Sequence, residues 1–315
     1  MLAKKKNVRP MTLETSLETG MGRESLRDSP IFTNTLVVIL GVIWGLAFVA
    51  IRTADFQLSP VNLTLLRWLI ASAGFLALAP FFGKPKNPIQ RHHIPRILVV
   101  SLASVTGYHL SLNYAETIVS AGLAGLLISL GPIFVVVLSA LFLKEKIGKR
   151  LTLALAAAMT GAVVLSFNAG LNFQEITGPL AVVFSAFMYS VFAVGSKPLV
   201  KEYGALPTAI WIALIGTAFT LPLITMNFIT QVQQLSTITW VSVIYLALLS
   251  TVLANVILYL LIGNRSVSRL SIQLYIVPLV SLIGGVVLLG ETVTILTLSG
   301  AILMFTGVAL ATRKH

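Results

Sequence analysis

The residues able to do chemistry in this chain stand mostly inside long apolar runs. His109 and Asn113 lie four apart with Tyr108 beside them, and Asn255 and Tyr259 repeat that spacing later on. Residues four apart share a helix face. Trp44, Ser185 and Tyr189, and Gln273 with Tyr275 just ahead of Pro278, are further polar or aromatic points in apolar surroundings. Such side chains recognise by hydrogen bonding and stacking, and they form no catalytic set. Cysteine is absent, so there is no thiolate nucleophile and no thiolate metal site. No metal-ligand spacing or glycine-rich nucleotide loop is present, and His92 and His93 stand in a polar loop without paired acids. No cofactor is expected. A polar group in hydrocarbon is costly unless it is paired or faces water, so the expectation is a cavity for a small molecule, with aromatic walls and amide or hydroxyl edges.

The elements that must hold these residues are membrane helices. The 315 residues are 57% hydrophobic and 10% charged, against about 45–50% and about 25% in a soluble domain. Runs of roughly 20 apolar residues match a helix crossing about 30 Å of hydrocarbon. Ten spans are expected, near 33–52, 60–82, 95–115, 118–143, 150–168, 178–197, 207–229, 238–262, 268–290 and 294–312. The fold class is all-α integral membrane, with the lipid bilayer as solvent. Residues 1–30 have no apolar core, which excludes a secretory signal peptide and reads as a disordered cytoplasmic tail.

Charge orients the spans, because Lys and Arg of short loops stay cytoplasmic. With the N terminus inside, the cytoplasmic segments hold 20 of the 22 basic residues, and the other side holds Asp55, Glu116, Glu175 and Glu291 with Arg52 as its base. The expectation is N-in, C-in, in the cell's inner or plasma membrane. The net charge of +12 is then a topology signal, and no nucleic-acid partner is expected.

A shift of 146 residues lays LGPIFVVVLSALFLKEKI (130–147) over IVPLVSLIGGVVLLGETV (276–293). Pro132 meets Pro278, Glu145 meets Glu291, Gly161 meets Gly307, Ser104 meets Ser250, and the His109/Asn113 pair falls on Asn255/Tyr259. With a slip of one, Trp44 meets Tyr189 and Arg52 meets Lys197. Each copy holds five spans, an odd number, so the second enters the membrane from the opposite side. Ten helices in two inverted-topology five-helix repeats, 31–168 and 178–312, is an arrangement found among secondary transporters.

These residues resemble the drug/metabolite transporter superfamily, in particular its ten-helix EamA-type members. In that pattern each half carries an apolar helix with a central Pro, a Leu-x-Glu at its end, and a helix with a mid-span Gly. Here they are Pro132, Leu143, Glu145 and Gly161, then Pro278, Leu289, Glu291 and Gly307. WGLAFVAIR in the first span and LLRWLIA, with Arg67, in the second are also similar, although Arg67 has Leu214 opposite it in the second half. The resemblance covers about residues 33–312 and implies a gradient-driven carrier of small molecules.

Roles follow from chemistry and depth. Pro132 and Pro278 would bend their helices and serve as hinges or gates. Glu145 and Glu291, at helix ends, would bind the amides that start the next helix. His109 either couples protons or stays neutral and hydrogen-bonded, and the second is expected. Arg67 either snorkels to the surface or meets a substrate carboxylate, and snorkelling is expected. Arg52 and Lys197 are possible charge contacts near water. None of the ten acids lies mid-span, which disfavours carriage of hydrophobic cations by drug efflux. The expectation is a secondary, alternating-access exporter of amino acids or related neutral or zwitterionic metabolites, with a proton or another ion for coupling. A nucleotide-sugar or phosphate-sugar exchanger is the nearer alternative; a channel or an intramembrane enzyme is further away.

Overall fold

The computed structural model describes residues 30–81, 87–143, 176–264 and 276–312, with scattered helical residues between 153 and 164. All the regular elements among them are helices. They are α1 (Pro30–Ala54), α2 (Pro60–Leu78), α3 in three consecutive pieces (Ile94–Ser101, Leu102–Leu110, Ser111–Glu116) and α4 in two (Ala121–Ile128, Gly131–Leu143). Then come α5 (Thr177–Tyr203), α6 (Ala205–Thr220), α7 in three pieces (Thr237–Ile244, Tyr245–Leu253, Ala254–Asn264), α8 (Ile276–Leu289) and α9 (Ile295–Thr312). A short helix, Phe228–Gln233, lies between α6 and α7. Among the described residues six stretches are long and apolar enough to cross a membrane, in α1, α2, α4, α5, α6 and α7, and α8 is a shorter apolar helix. The expected span at 150–168 falls largely outside the described residues, as do Glu145, Gln273 and Tyr275.

Helix starts are set by small hydroxyl residues. Ser59, Ser120 and Ser236 accept from the amides of Asn62, Leu123 and Thr239, and Thr294 accepts from Thr297. Each satisfies one of the amides that a first turn leaves unpaired. Gly204, at φ 96°, makes the sharp corner between α5 and α6 that an L side chain would resist.

Packing crosses between the two sequence halves. α1 lies against α7 and α8, α5 lies against α3 and α4, and α2 lies against α6. Thus the first helix of each half is embraced by later helices of the other. Gly41 and Gly45 of α1 allow this close approach, since a methyl at either would come within 2.9 Å or 2.5 Å of Ile276 or Val280 of α8. Small residues four apart are the usual way for membrane helices to touch along their backbones.

Two features depart from plain membrane helices. α4 is interrupted at Ser129–Leu130, and Pro132 opens its second piece, where a missing amide is cheap. The proline therefore marks a break between two short helices where a bend within one helix was expected. α3 and α7 each contain nine residues in the wider π geometry, Leu102–Leu110 and Tyr245–Leu253. Such segments are uncommon and concentrate at functional sites.

Candidate substrate cavity

Both π segments contribute side chains to an internal cavity, Ser104, Tyr108 and His109 from the first and Ser250 from the second. Ser104, Tyr108 and His109 of α3, Ser250 and Asn255 of α7, Arg67 of α2, Trp44 and Phe48 of α1, and Tyr189 and Phe192 of α5 line one internal cavity. A second cavity shares Trp44, Phe48, Tyr108 and Tyr189, and is walled by Ser129 and Pro132 of α4 and Pro278 of α8. The partition between them is aromatic: Trp44 meets Tyr189 edge-on at 6.0 Å, and Tyr108 stands 5.9 Å from Tyr189. The cavities have room for the centres of small occupants of about 40 and 50 Å³. These are water-scale spaces, so a larger guest requires the helices to part.

Several residues matched by the sequence shift meet at these cavities. Ser104 and Ser250, and His109 and Asn255, line the first; Pro132 and Pro278 line the second; Trp44 and Tyr189 touch. Other candidates stand behind the walls. Asn113 is fully buried and donates to Thr64 Oγ1 at 2.9 Å, joining α3 to α2. Ser185 donates to the Tyr108 carbonyl at 2.8 Å, fixing α5 on α3. Tyr259 backs Phe192 at 5.9 Å. Asn255 keeps its amide nitrogen on the Thr251 carbonyl, 2.8 Å away. His109 is buried between Trp68 and Tyr108, at 5.2 and 4.6 Å, with Nδ1 unpartnered among the described residues.

Arg67 is where the structure corrects the sequence. It is 2% exposed and does not snorkel. Its Nε donates to Thr251 Oγ1 at 2.8 Å and one terminal nitrogen to Ser250 Oγ at 3.3 Å. No ion-pair partner faces it among the described residues. A guanidinium buried on neutral hydroxyls has lost hydration without gaining an anion, a cost of several kcal/mol. Tyr245, whose hydroxyl donates to the Ile43 carbonyl at 2.7 Å, and Trp44, whose Nε1 donates to the Ser250 carbonyl at 3.1 Å, fix α7 on α1 around it.

At the far ends of the helices the acids behave differently from one another. Glu291 accepts from the amides of Ala121 at 2.7 Å and Gly122 at 2.9 Å, so with Ser120 it satisfies the first three amides of α4. The sequence expectation was a cap on the next helix; the helix capped is α4, in the other half. Gly290, at φ 68°, ends α8 and turns the chain so that Glu291 can reach across. Replacing Glu291 with alanine is expected to lower stability by roughly 2–4 kcal/mol, the value of one or two charge-assisted bonds. A methyl at Gly285 would sit 2.3 Å from Glu291 Oε2. Gly285→Ala should therefore lower the melting temperature in lipid as Glu291→Ala does, and the double variant should lose less than the sum; full additivity would show that Gly285 acts elsewhere.

Glu116, which the sequence placed in a loop, ends α3 fully buried with both carboxylate oxygens unpartnered among the described residues. Asp55, just past α1, is half-buried, and both its carboxylate oxygens are likewise enclosed and unpartnered among the described residues. Burial pushes its carboxyl up to about 8, with the Arg52 guanidinium pulling the other way. Arg52 donates to the main-chain oxygen of Glu116 and lies 5.9 Å over the Phe56 ring. Lys197 lines neither cavity. Gly161 is buried in a helical turn, and Gly307 falls within α9.

The EamA-like transporter family matches this chain twice, over residues 31–167 and 176–313. The chain belongs to the EamA-like transporter family. It is 31% identical to an uncharacterized transporter of Archaeoglobus fulgidus over 86% of this chain and 95% of that one. It is also 31% identical to a probable terminal-alkyne amino-acid exporter of Streptantibioticus cattleyicolor, over 88% and 92%. A probable amino-acid metabolite efflux pump of Escherichia coli is 28% identical over 86% and 92%. One chain of known crystal structure shares the fold at a TM-score of 0.63, covering 89% of this chain and 97% of that one at 20% identity. As an EamA-like protein this is a multi-pass membrane transporter of a small molecule.

Proposed function

We propose that this transporter is a secondary, alternating-access carrier that exports amino acids or closely related zwitterionic metabolites. The observation that carries the reading is Arg67: a buried guanidinium in the central cavity, resting on two hydroxyls, with no acidic partner among the described residues. A substrate carboxylate completes it through the paired donors that guanidinium presents. The rings of Trp44, Phe48, Tyr108, Tyr189 and Phe192 suit an apolar side chain. One cation matches one carboxylate; a sugar diphosphate would call for more, and a hydrophobic cation would be repelled. The names of the Streptantibioticus and Escherichia relatives support the amino-acid class.

Ten helices in two inverted repeats complete the reading. The crossed packing of α1 and α5, the matched π segments and the shared cavities of paired residues support it. Pro132 at the α4 break and Pro278 in the first described turn of α8 are the hinges. Orientation is N-in, C-in, in the inner or plasma membrane. The absence of cysteine makes this testable: Met226→Cys, at a fully exposed site, should react with an impermeant maleimide from outside whole cells and Asn87→Cys only after lysis. The opposite pattern would invert the topology. For function, proteoliposomes loaded with single unlabelled amino acids should show saturable counterflow of the labelled form. Counterflow only with nucleotide sugars would replace the amino-acid reading, and none with any of them would remove the carrier reading.

A further inference from the structure

Glu116 and Asp55 are not used by the mechanism above, yet each is held in a state that carboxylates avoid. Glu116 is 0% exposed. All four carboxyl oxygens of the pair are buried and without hydrogen-bond partners among the described residues. The nearest base, Arg52, donates to the Glu116 main chain and leaves the carboxyl alone. The charged groups acting on Glu116 are Asp55 and Glu291 with like sign, and Arg52 and Arg67 with opposite sign. The neighbouring first piece of α4 brings no charge, and the first turn of α5 brings no acid; Glu175 lies outside the described residues. An ionised carboxylate without donors in an apolar shell either gains a partner, meets water or takes a proton.

We propose that Glu116, flanked by Asp55, is a proton-binding site that fills when this end of the bundle closes and empties when it opens. In the closed arrangement the carboxyl is neutral. On opening, water reaches it and the O–H bond breaks, releasing one proton to the outer solution and leaving the carboxylate. On closing, the carboxylate takes one back. The site reaches the cavity through α4: Glu291, which acts on Glu116, holds the first turn of α4, and the break in α4 at Ser129–Leu130 leads into the Pro132 wall. A neutral Glu116 spares Glu291 a second negative charge, so the cap holds and this end stays shut. Glu116 and Asp55 lie with Glu291 at the end of the bundle that the proposed topology places outside, so the linkage is to external pH.

Two measurements on the full chain in lipid test this. Infrared difference spectra taken from about pH 5 to about pH 9 should show a protonated carboxyl band that persists at neutral pH, above the ordinary carboxylate range. The band should shrink in Glu116→Gln and shift its midpoint in Asp55→Asn. This arm needs no substrate, so it stands or falls apart from the amino-acid reading. Second, Ile128→Cys in the cavity wall is labelled from outside, with rates normalised to Met226→Cys to remove the thiol's own ionisation. Normalised labelling should rise by up to tenfold per pH unit, the slope of one linked proton, and Glu116→Gln should flatten it. A native protein with no such band at neutral pH, or flat normalised labelling, overturns the proposal. So does a slope that Glu116→Gln leaves unchanged. If Glu116→Gln does not fold, the native titrations and Asp55→Asn carry the test.

Discussion

Proteoliposomes carrying Arg67→Gln are expected to lose saturable amino-acid counterflow while the protein itself becomes no less stable, and by melting temperature more so. The two halves of that result have one cause. In the resting cavity the guanidinium is buried on Thr251 and Ser250 without an anion, so the fold bears its desolvation and regains little. Removing the charge relieves the fold. With substrate present, the same change strips a buried carboxylate of its partner, worth about 2–5 kcal/mol, or roughly 30-fold to several-thousand-fold in apparent affinity. Arg67→Lys keeps the charge but cannot hold the hydroxyls and a carboxylate in one planar fork, so a smaller loss, on the order of tenfold, is expected. Measurement of KM by counterflow and of Tm by dye-free fluorescence separates the outcomes. Falling stability with unchanged KM would show Arg67 to be a packing residue and would remove the carboxylate site.

The second large effect concerns the seam between α4 and α8. A methyl at Gly125 would lie 1.7 Å from Ser281 Oγ and 2.5 Å from its Cβ, while Pro278 Cα stands at 3.7 Å. Ser281 is fully buried and bonded to the Pro278 carbonyl at 3.0 Å, so its side chain has nowhere to turn. Gly125→Ala must push the helices apart, and overpacking of this kind costs about 1–3 kcal/mol. The displaced wall holds Pro278, so transport should fall along with stability. Ser281→Gly removes both obstructing atoms, and the double variant should recover part of the melting temperature that Gly125→Ala loses. Tm values of the four chains decide it. No recovery would mean that the contact between Gly125 and Ser281 is not what limits the approach of α4 to α8.

The features legible in the sequence were those that depend on order along the chain. The prolines, the glutamates and the serines recur at one spacing, and in the fold Pro132 with Pro278 and Ser104 with Ser250 come to shared cavities. Direction around a helix was harder to read. Asn113 is four residues from His109, but His109 lies in the π segment of α3 and Asn113 beyond its end. Wider turns rotate the following residues, so the two part company: His109 lines the cavity and Asn113 faces Thr64. Nothing in composition signals a π turn. Arg67 was misjudged because a count from the start of α2 gives depth, and the face it points to depends on α7. Glu116 falls between two expected spans because an apolar run is counted up to the nearest charge; only packing by distant segments encloses it. The target of Glu291 was hidden for the same reason, 170 residues separating it from the amide of Ala121.

That long separation has a consequence for how the molecule is made. When the ribosome has produced α4, the carboxylate that completes its first turn has yet to be polymerised. At about 5–20 residues per second, the wait is roughly ten to thirty seconds. Throughout it, two amides of a newly inserted helix are left to water or lipid headgroups. The front portion of the chain is thus an unfinished object until Glu291, 170 residues beyond Ala121, has been made, and a product truncated before Glu291 carries its defect at the seam where quality-control proteases can find it.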